Sequence, residues 1–171
     1  VASFAGCSKT DDEVVIDKTN TEVVVNRVYG DGSTYCAFTS MVKKDGQYYL
    51  AFREGMTHVS EGDHGVIRMM TSVDGEIWVT SQIIRLEGVD LRDPNLSIGP
   101  KGKVFLICGG RELIEDEFYT TKTYYATEDN GMFSQVKRVN IPSEIDDKYW
   151  CWIWRLEWNE EEGYGVAYRN N

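Results

Sequence analysis

The sequence predicts an all-β protein made of repeated four-stranded units. Polar and apolar residues alternate along most of the 171 residues, and a period of two is that of a half-buried β-strand. No segment carries a sustained helical stripe. Short turns that contain Gly and Asp divide the chain into strand-length pieces, as hairpins require.

The predicted strands follow in order, with mostly short connections between them. They are residues 22–28, then 35–42, 47–53, 66–72 and 77–86, then 94–98, 103–109, 121–127 and 132–141, and finally 150–158 and 164–169. The longer connections are 54–65 and the charged segment 111–117. The predicted organisation is a tether (1–20) and a β-domain (21–171), in which a strand (21–30) precedes a first unit (34–88), a second unit (89–145) and the start of a third (146–171).

The turns repeat at matched intervals. The glycine of the first hairpin turn recurs at positions 46, 102 and 163, which are 56 and 61 residues apart. The aspartate of the second turn recurs at 74 and 129, an interval of 55. Four short strands in about 40–60 residues are typical of a β-propeller blade. A β-sandwich also has short strands, but it does not require the turn order to repeat, so we favour two and a half propeller blades.

The second turn of each unit has a specific pattern. Residues 72–78 read Ser-Val-Asp-Gly-Glu-Ile-Trp, and residues 127–133 are a weaker copy. The hydroxyl and carboxylate can accept hydrogen bonds from turn amides, the glycine can adopt a positive φ, and the aromatic residue can pack beneath. This pattern resembles the Asp-box, which assigns Asp74 and Asp129 a structural rather than a catalytic role.

Together with these turns, four stretches resemble the sialidase superfamily, and in particular bacterial exo-α-sialidase-like lipoproteins. The stretches are 37–40, 51–55 with His58-Val59, 90–96 (Asp-Leu-Arg-Asp-Pro-Asn-Leu) and 152–155 (Trp-Ile-Trp-Arg). The resemblance implies a six-bladed propeller that cleaves glycosidic bonds and has a glycan as its partner. In the family, the first blade begins with an Arg that binds the sialate carboxylate. The matching residues here, Tyr35-Cys36-Ala37-Phe38, contain no Arg. The family's Tyr–Glu nucleophile pair has no counterpart in these residues.

The candidate catalytic residues are carboxylates near one mouth of such a propeller. Glycoside hydrolysis needs a proton donor and a second group that attacks or activates water. Asp63 occupies the region where sialidases carry their acid/base Asp, and Asp93 and Glu54 are the other candidates. The alternatives are a solvated loop acid for Asp63 and a salt bridge with Arg53 for Glu54. His58 is a candidate proton shuttle.

The candidate substrate-binding residues are Arg53, His58, Arg92, Arg155 and Trp154. A planar guanidinium can bind a carboxylate or sugar hydroxyls through paired hydrogen bonds. For Arg92 the alternative is a buried pair with Asp93 at the junction between units. For Trp154, stacking on a sugar competes with packing in the core.

Composition excludes several partners and cofactors. A net charge of −10 argues against nucleic acid, because phosphate binding needs clustered Lys and Arg. Two histidines are too few and too poorly spaced for zinc, and we expect no metal or other cofactor. The cysteines at 36, 108 and 151 lack a C-x-x-C spacing, which predicts buried free thiols, with a disulfide as the alternative in an exported protein.

The first seven residues, Val-Ala-Ser-Phe-Ala-Gly-Cys, resemble the lipobox of a bacterial lipoprotein. The resemblance implies lipidation at Cys7, and hence an exported protein anchored at the cell envelope whose only membrane contact is that lipid. The alternative is an ordinary cysteine in an N-terminal tail.

The sequence leaves three functional hypotheses open. They are a glycoside hydrolase, a non-catalytic carbohydrate-binding propeller, and an inactive truncated fragment. We also expect the chain to be a piece of a longer protein, or to pair with a second copy through its open blade edges.

Overall fold

The protein is all-β, as the sequence predicts. The computed structural model describes residues 24–59, 62, 64–114, 118–145 and 150–168. Within these residues the strands form two sheets, neither of which closes on itself. Pro100–Gly102 forms a short 3-10 turn. None of the helical structure in the described part of the chain is long and apolar enough to cross a bilayer.

The first sheet is an antiparallel meander of four strands in sequence order. Its strands are β1 (Tyr35–Lys44), β2 (Gln47–Gly55), β3 (Val66–Ser72) and β4 (Val79–Ile84). Asp45 and Gly46 connect β1 to β2 with φ angles of 49° and 82°. Two consecutive positive φ angles are those of a type I′ turn, whose twist matches that of the strands it joins.

The second sheet has a three-stranded antiparallel centre with additions on one side. Its strands are β5 (Val89–Ile98), β6 (Val104–Ile114), β7 (Phe118–Asp129), β8 (Met132–Phe133), β9 (Lys137–Arg138), β10 (Trp150–Asn159) and β11 (Glu162–Tyr168). The short β8 and β9 both pair with β7. The β10–β11 hairpin joins the sheet through two residues of β10, which pair in parallel with Thr121 and Lys122 of β7.

The core lies where the two sheets pack together. Fully buried side chains come from both sheets, among them Ile67 and Met69 from the first and Leu91 and Leu106 from the second. Each such side chain contributes roughly 1.5–3 kcal/mol relative to exposure. A smaller cluster, which includes Phe52, lies on the other side of the first sheet under Val28, Tyr29 and Trp78.

The turn after β3 forms the hydrogen bonds that its sequence predicts. One carboxylate oxygen of Asp74 accepts hydrogen bonds from the backbone amides of Glu76 and Ile77 at 2.8 and 2.9 Å. The amide of Gly75, whose φ is 81°, donates to the Ser72 hydroxyl at 2.8 Å. The amides of Ile77 and Glu76, together with the Ser72 hydroxyl, lower the pKa of Asp74. The carboxylate is therefore committed to the turn.

The strands differ most from the predicted ones at four places. Residues 24–28 are not a strand, since Val28 covers the smaller cluster instead of pairing. Strand β5 begins at Val89, five residues before the predicted start. Residues 111–114 of the charged segment are strand, because β6 and β7 stay paired up to Ile114 and Phe118. The single strand predicted over 132–141 is replaced by the two-residue strands β8 and β9.

Candidate functional site

Strands β1, β5 and β10 each contain a break in pairing register, a β-bulge, at a corresponding position along the strand. The breaks in register lie between Ala37 and Ser40 in β1, between Arg92 and Asn95 in β5, and between Ile153 and Leu156 in β10. They are 55 and 61 residues apart, close to the spacing of the repeated turns. Phe38, Asp93 and Trp154 thus hold corresponding positions in the three bulges.

Strands β1 and β5 lie side by side and run in the same direction. The Arg92 guanidinium lies 5.4 Å from the centre of the Phe38 ring. Further along both strands, the amide of Leu96 donates a hydrogen bond to the Ser40 hydroxyl at 2.9 Å. Because both strands advance together between these contacts, their two bulges lie at the same level.

Strand β10 continues this arrangement on the other side of β5. The amide of Ile153 donates to the hydroxyl of Thr123 at 2.8 Å, and Thr123 lies in the same cross-strand row as Arg92. Further along, the indole of Trp158 donates to the Ser97 hydroxyl at 3.0 Å. The β10 bulge is therefore level with the β5 bulge.

The bulges of β1 and β5 hold strained backbone. Phe38 has a φ of 58° and Asp93 a φ of 49°, in the left-handed region that costs a side-chain-bearing residue roughly 1–2 kcal/mol. Asp tolerates this region better than a bulky aromatic residue does. Bulges re-aim side chains next to functional sites, and strained residues cluster at such sites. The point where these bulges meet is accordingly our candidate site.

A buried ion pair lies beside the two bulges. Nε of Arg53 lies 2.8 Å from Oδ1 of Asp90, and both side chains are almost fully buried. The same oxygen accepts a hydrogen bond from the amide of Gly65 at 2.9 Å, while Nη1 of Arg53 donates to the carbonyl of Thr57 at 2.8 Å. The pair thus holds both the start and the end of the connection between β2 and β3.

Gly65 is required by this packing. A Cβ atom on Gly65 would lie 2.4 Å from both Nε of Arg53 and Oδ1 of Asp90, which is far inside van der Waals contact. The carbonyl of Gly65 also accepts a hydrogen bond from the amide of Leu91 at 3.0 Å. Gly65 therefore links the first sheet to the start of β5.

Arg92 lies between two carboxylates. Its Nη1 is 3.6 Å from Oδ2 of Asp90, and its Nε is 3.5 Å from Oδ2 of Asp93. Burial raises the pKa of Asp93, and the positive charge of Arg92 opposes this shift without cancelling it. Asp93 is consequently a carboxyl group that holds a proton at a higher pH than an ordinary Asp does.

His58 and Tyr35 form the exposed side of the cluster. Nδ1 of His58 and the Tyr35 hydroxyl are 2.8 Å apart and share a hydrogen bond. The imidazole meets the Phe38 ring edge-on, with 5.5 Å between the ring centres. An imidazole and a phenol thus lie at the surface of the cluster, where a ligand could reach them.

Four predicted site residues, Arg53, His58, Arg92 and Asp93, meet in this cluster, but Glu54 does not. The Glu54 carboxylate pairs with Arg68 at 2.6 Å and accepts a hydrogen bond from the Tyr29 hydroxyl at 2.7 Å. Burial and this hydrogen bond raise the pKa of Tyr29 to about 12. The alternative considered for Glu54, a salt bridge with Arg53, is not formed, because adjacent residues of a strand point to opposite faces and Glu54 pairs with Arg68.

Trp154 and Arg155 lie on the exposed side of the β10 bulge. Trp154 is 57% exposed, so the core-packing reading of this residue is wrong. Its ring stacks on that of the buried Trp152, with 5.1 Å between centres and 19° between planes. Arg155 pairs with Glu157 at 2.6 Å, and both side chains are mostly exposed.

Two predicted functional residues, Cys7 and Asp63, lie outside the described residues. Lipidation at Cys7, with export to the cell envelope, therefore stays a prediction, as does the acid/base role of Asp63. Among the described residues, Cys36, Cys108 and Cys151 form no disulfide with one another, and Cys36 is only half-buried. Burial raises the pKa of Cys108 to about 12, so its thiol stays protonated at neutral pH.

Sequence reasoning missed three residues of the cluster, which are Tyr35, Phe38 and Asp90. Asp90 belongs to the 90–96 stretch that carries the family resemblance, but nothing in the sequence marks it as the partner of Arg53. The 55-residue interval between positions 38 and 93 was the one signal that could have placed Phe38 beside Asp93.

Comparisons with known proteins give information on the fold alone. No protein-family model matches the chain, and no curated protein matches it. A crystal structure of a protein of unknown function from Dyadobacter fermentans DSM 18053 is similar, with a TM-score of 0.59 and 18% sequence identity. The match covers 76% of this chain and 45% of that one. The chain therefore spans less than half of the similar protein, and at this identity the likeness shows a shared fold alone.

Proposed function

We propose that the chain is part of a sialidase-like β-propeller that binds carbohydrate where the β1 and β5 bulges meet. Three strands, β1, β5 and β10, run in the same direction at the same level, and each opens an antiparallel unit. The innermost strands of successive propeller blades are arranged in this way. The two strained bulges that bring Phe38 against Arg92 carry the proposal, because they place polar and aromatic groups together.

The chemistry of the cluster suits a sugar. Binding sites for small molecules combine aromatic surface with a few convergent polar groups that fix orientation. Tyr35 and Phe38 supply aromatic surface, while His58, Arg92 and Asp93 supply donors and acceptors for hydroxyl groups. The exposed Trp154 at the neighbouring bulge would extend the aromatic surface along a longer glycan.

The two histidines provide a matched test of the binding site. Calorimetric titration of the chain with a panel of mono- and oligosaccharides is expected to identify a ligand. We expect His58→Ala to weaken its binding about tenfold, since a lost polar contact is worth on the order of 1.4 kcal/mol. His64→Ala is the control, because His64 is also exposed and has no part in the cluster. Equal effects of the two variants, or no binding by any saccharide, would contradict the proposal.

Hydrolysis is a second candidate, favoured by the raised pKa of Asp93 beside His58. A raised pKa extends to higher pH the range over which a carboxyl group is protonated, and the protonated form can donate to the oxygen of a glycosidic bond. Asp90, the neighbouring carboxylate, is committed to Arg53 and Gly65, so a second catalytic group would come from elsewhere in the protein.

Aryl glycosides test this candidate. Turnover is expected to fall as pH rises through the pKa of Asp93, because only the protonated form is an acid. Asp93→Asn should abolish turnover, because the amide cannot donate the proton, while saccharide binding stays detectable through the other groups of the cluster. Turnover that persists in the Asn variant would rule out Asp93 as the acid.

A further inference from the structure

Both arginines of the cluster, and Arg155 at the neighbouring bulge, already have a carboxylate partner. Arg53 is paired with Asp90 at 2.8 Å. Arg92 lies 3.6 Å from Asp90 and 3.5 Å from Asp93. At the β10 bulge, Arg155 pairs with Glu157 at 2.6 Å. The two arginines and two aspartates of the cluster therefore cancel in formal charge.

This balance disfavours an anionic ligand. A carboxylate that approached Arg92 would compete with Asp90 and Asp93, and it would be repelled by both at short range. The surroundings add to this effect, because the chain carries a net charge of −10 and long-range attraction of an anion needs the opposite sign. Among the described residues, the guanidinium groups of the site are paired with carboxylates of the protein itself.

A ligand with hydroxyl groups meets no such penalty. A hydroxyl both donates and accepts hydrogen bonds, so it can donate to a carboxylate while it accepts from the adjacent guanidinium. The pairing of Arg92 with Asp93 supplies both kinds of group within a few ångströms. The Phe38 ring lies next to Arg92, and the Tyr35 ring contacts the same His58 as Phe38 does, so the two rings can cover an apolar sugar face.

We infer that the site takes a neutral carbohydrate rather than one that carries a carboxylate. This inference rests on the proposed carbohydrate-binding function and specifies its ligand class. The paired arginines act as donors of oriented hydrogen bonds to hydroxyl groups, and the site has no net positive charge with which to hold a carboxylate.

Matched sugar pairs test the inference on the full chain. Methyl glucoside and methyl glucuronide differ only in a hydroxymethyl group against a carboxylate, as do methyl galactoside and methyl galacturonide. In calorimetric titrations we expect the neutral member of a pair to bind about tenfold more tightly. Equal or tighter binding of the uronide overturns the inference but leaves the carbohydrate-binding function standing. Binding of neither member of either pair overturns both.

A substitution at Asp93 tests the cause of the preference. Asp93→Asn removes a negative charge beside Arg92, and Asn also tolerates the positive φ of the bulge. We expect the variant to shift the ratio of uronide to neutral affinity about tenfold toward the uronide. An unchanged ratio in a variant with the same far-UV circular dichroism overturns the charge explanation.

Glu157→Gln is the matched control, because it removes the carboxylate partner of the exposed Arg155 at the neighbouring bulge. We expect this variant to leave the ratio unchanged. A shift produced by Glu157→Gln and not by Asp93→Asn would overturn the assignment of the site to the β1 and β5 bulges.

Discussion

Arg53 and Asp90 form a buried ion pair beside the candidate site. Taking both charges out of water is costly, and the cost is offset only where geometry is good and the remaining polar atoms are satisfied. Here Asp90 accepts hydrogen bonds from Arg53 and from Gly65 through one oxygen, while Arg53 also donates to the carbonyl of Thr57. The pair therefore stabilises the backbone around the candidate site, and removal of one partner should lower the free energy of unfolding.

Asp90→Asn is expected to lower the free energy of unfolding by roughly 3–5 kcal/mol, because it leaves the buried Arg53 charge without its counterion. Urea unfolding followed by circular dichroism measures the change. The comparison variant Glu157→Gln breaks an ion pair whose side chains are 66% and 70% exposed, and such pairs contribute little. Similar losses in both variants would show that the Arg53–Asp90 pair has no special role.

At the scale of the element, the two repeated turns differ in length and use different hydrogen-bond acceptors. In the turn after β3, the Asp74 carboxylate binds the turn amides. In the turn between β7 and β8, the Gly131 amide donates to Glu128 at 2.6 Å. Burial alone would raise the pKa of Glu128, but the bonds from Gly131 and Lys44 outweigh it and lower this pKa. Asn130 and Gly131 supply the positive φ angles, 52° and 82°, of a type I′ turn.

The different acceptors predict unequal effects of equivalent substitutions. Asp74→Ala should lower the thermal unfolding midpoint by a few degrees, because the amides of Glu76 and Ile77 lose their acceptor. Asp129→Ala should leave the midpoint nearly unchanged, since Glu128 accepts the hydrogen bond of that turn. Differential scanning calorimetry of both variants checks this, and a larger loss for Asp129→Ala would refute the assignment.

At the scale of the whole molecule, polar contacts tie the two sheets together around the core. The side-chain amide of Gln82 in the first sheet donates to the carbonyl of Phe133 and accepts from its amide, at 2.9 and 2.8 Å. Lys44 and Glu128 form an ion pair between the sheets at 3.0 Å. The far side of the second sheet differs: among the strands of the described residues β11 is at the edge, and Val166 on it is 78% exposed.

An exposed edge strand with apolar side chains promotes pairing with another chain. We expect the isolated chain to self-associate as its concentration rises, and we expect Val166→Lys to weaken that association. Ile77→Lys is the control, because Ile77 is 72% exposed but lies in a turn. Sedimentation velocity over a concentration series measures the effect. Equal behaviour of the two variants would exclude β11 as the contact.

Most of the fold could be predicted from local patterns. The period of two and the Gly and Asp turns predicted all-β structure, and β3 has the predicted bounds. Errors arose where pairing with a distant strand decides the outcome. The valines of 24–28 favour a strand by propensity, yet this segment has no strand pairing, and Val28 packs on the smaller cluster instead. Arg111 lies inside β6 because it pairs with Thr121 of β7. Its guanidinium also packs over the Tyr119 ring at 3.4 Å, and no local pattern reveals either contact.

The sequence by itself determined which residues alternate, where the turns fall and which side chains could perform site chemistry, because these depend on neighbours along the chain. Only the tertiary structure decided which of those side chains meet. Arg53 and Asp90 are 37 residues apart yet form one buried pair, while Glu54, next to Arg53, turns to the opposite face and binds Arg68. The difference is physical: a strand separates adjacent side chains across the sheet, and the packing of one sheet on another joins distant ones.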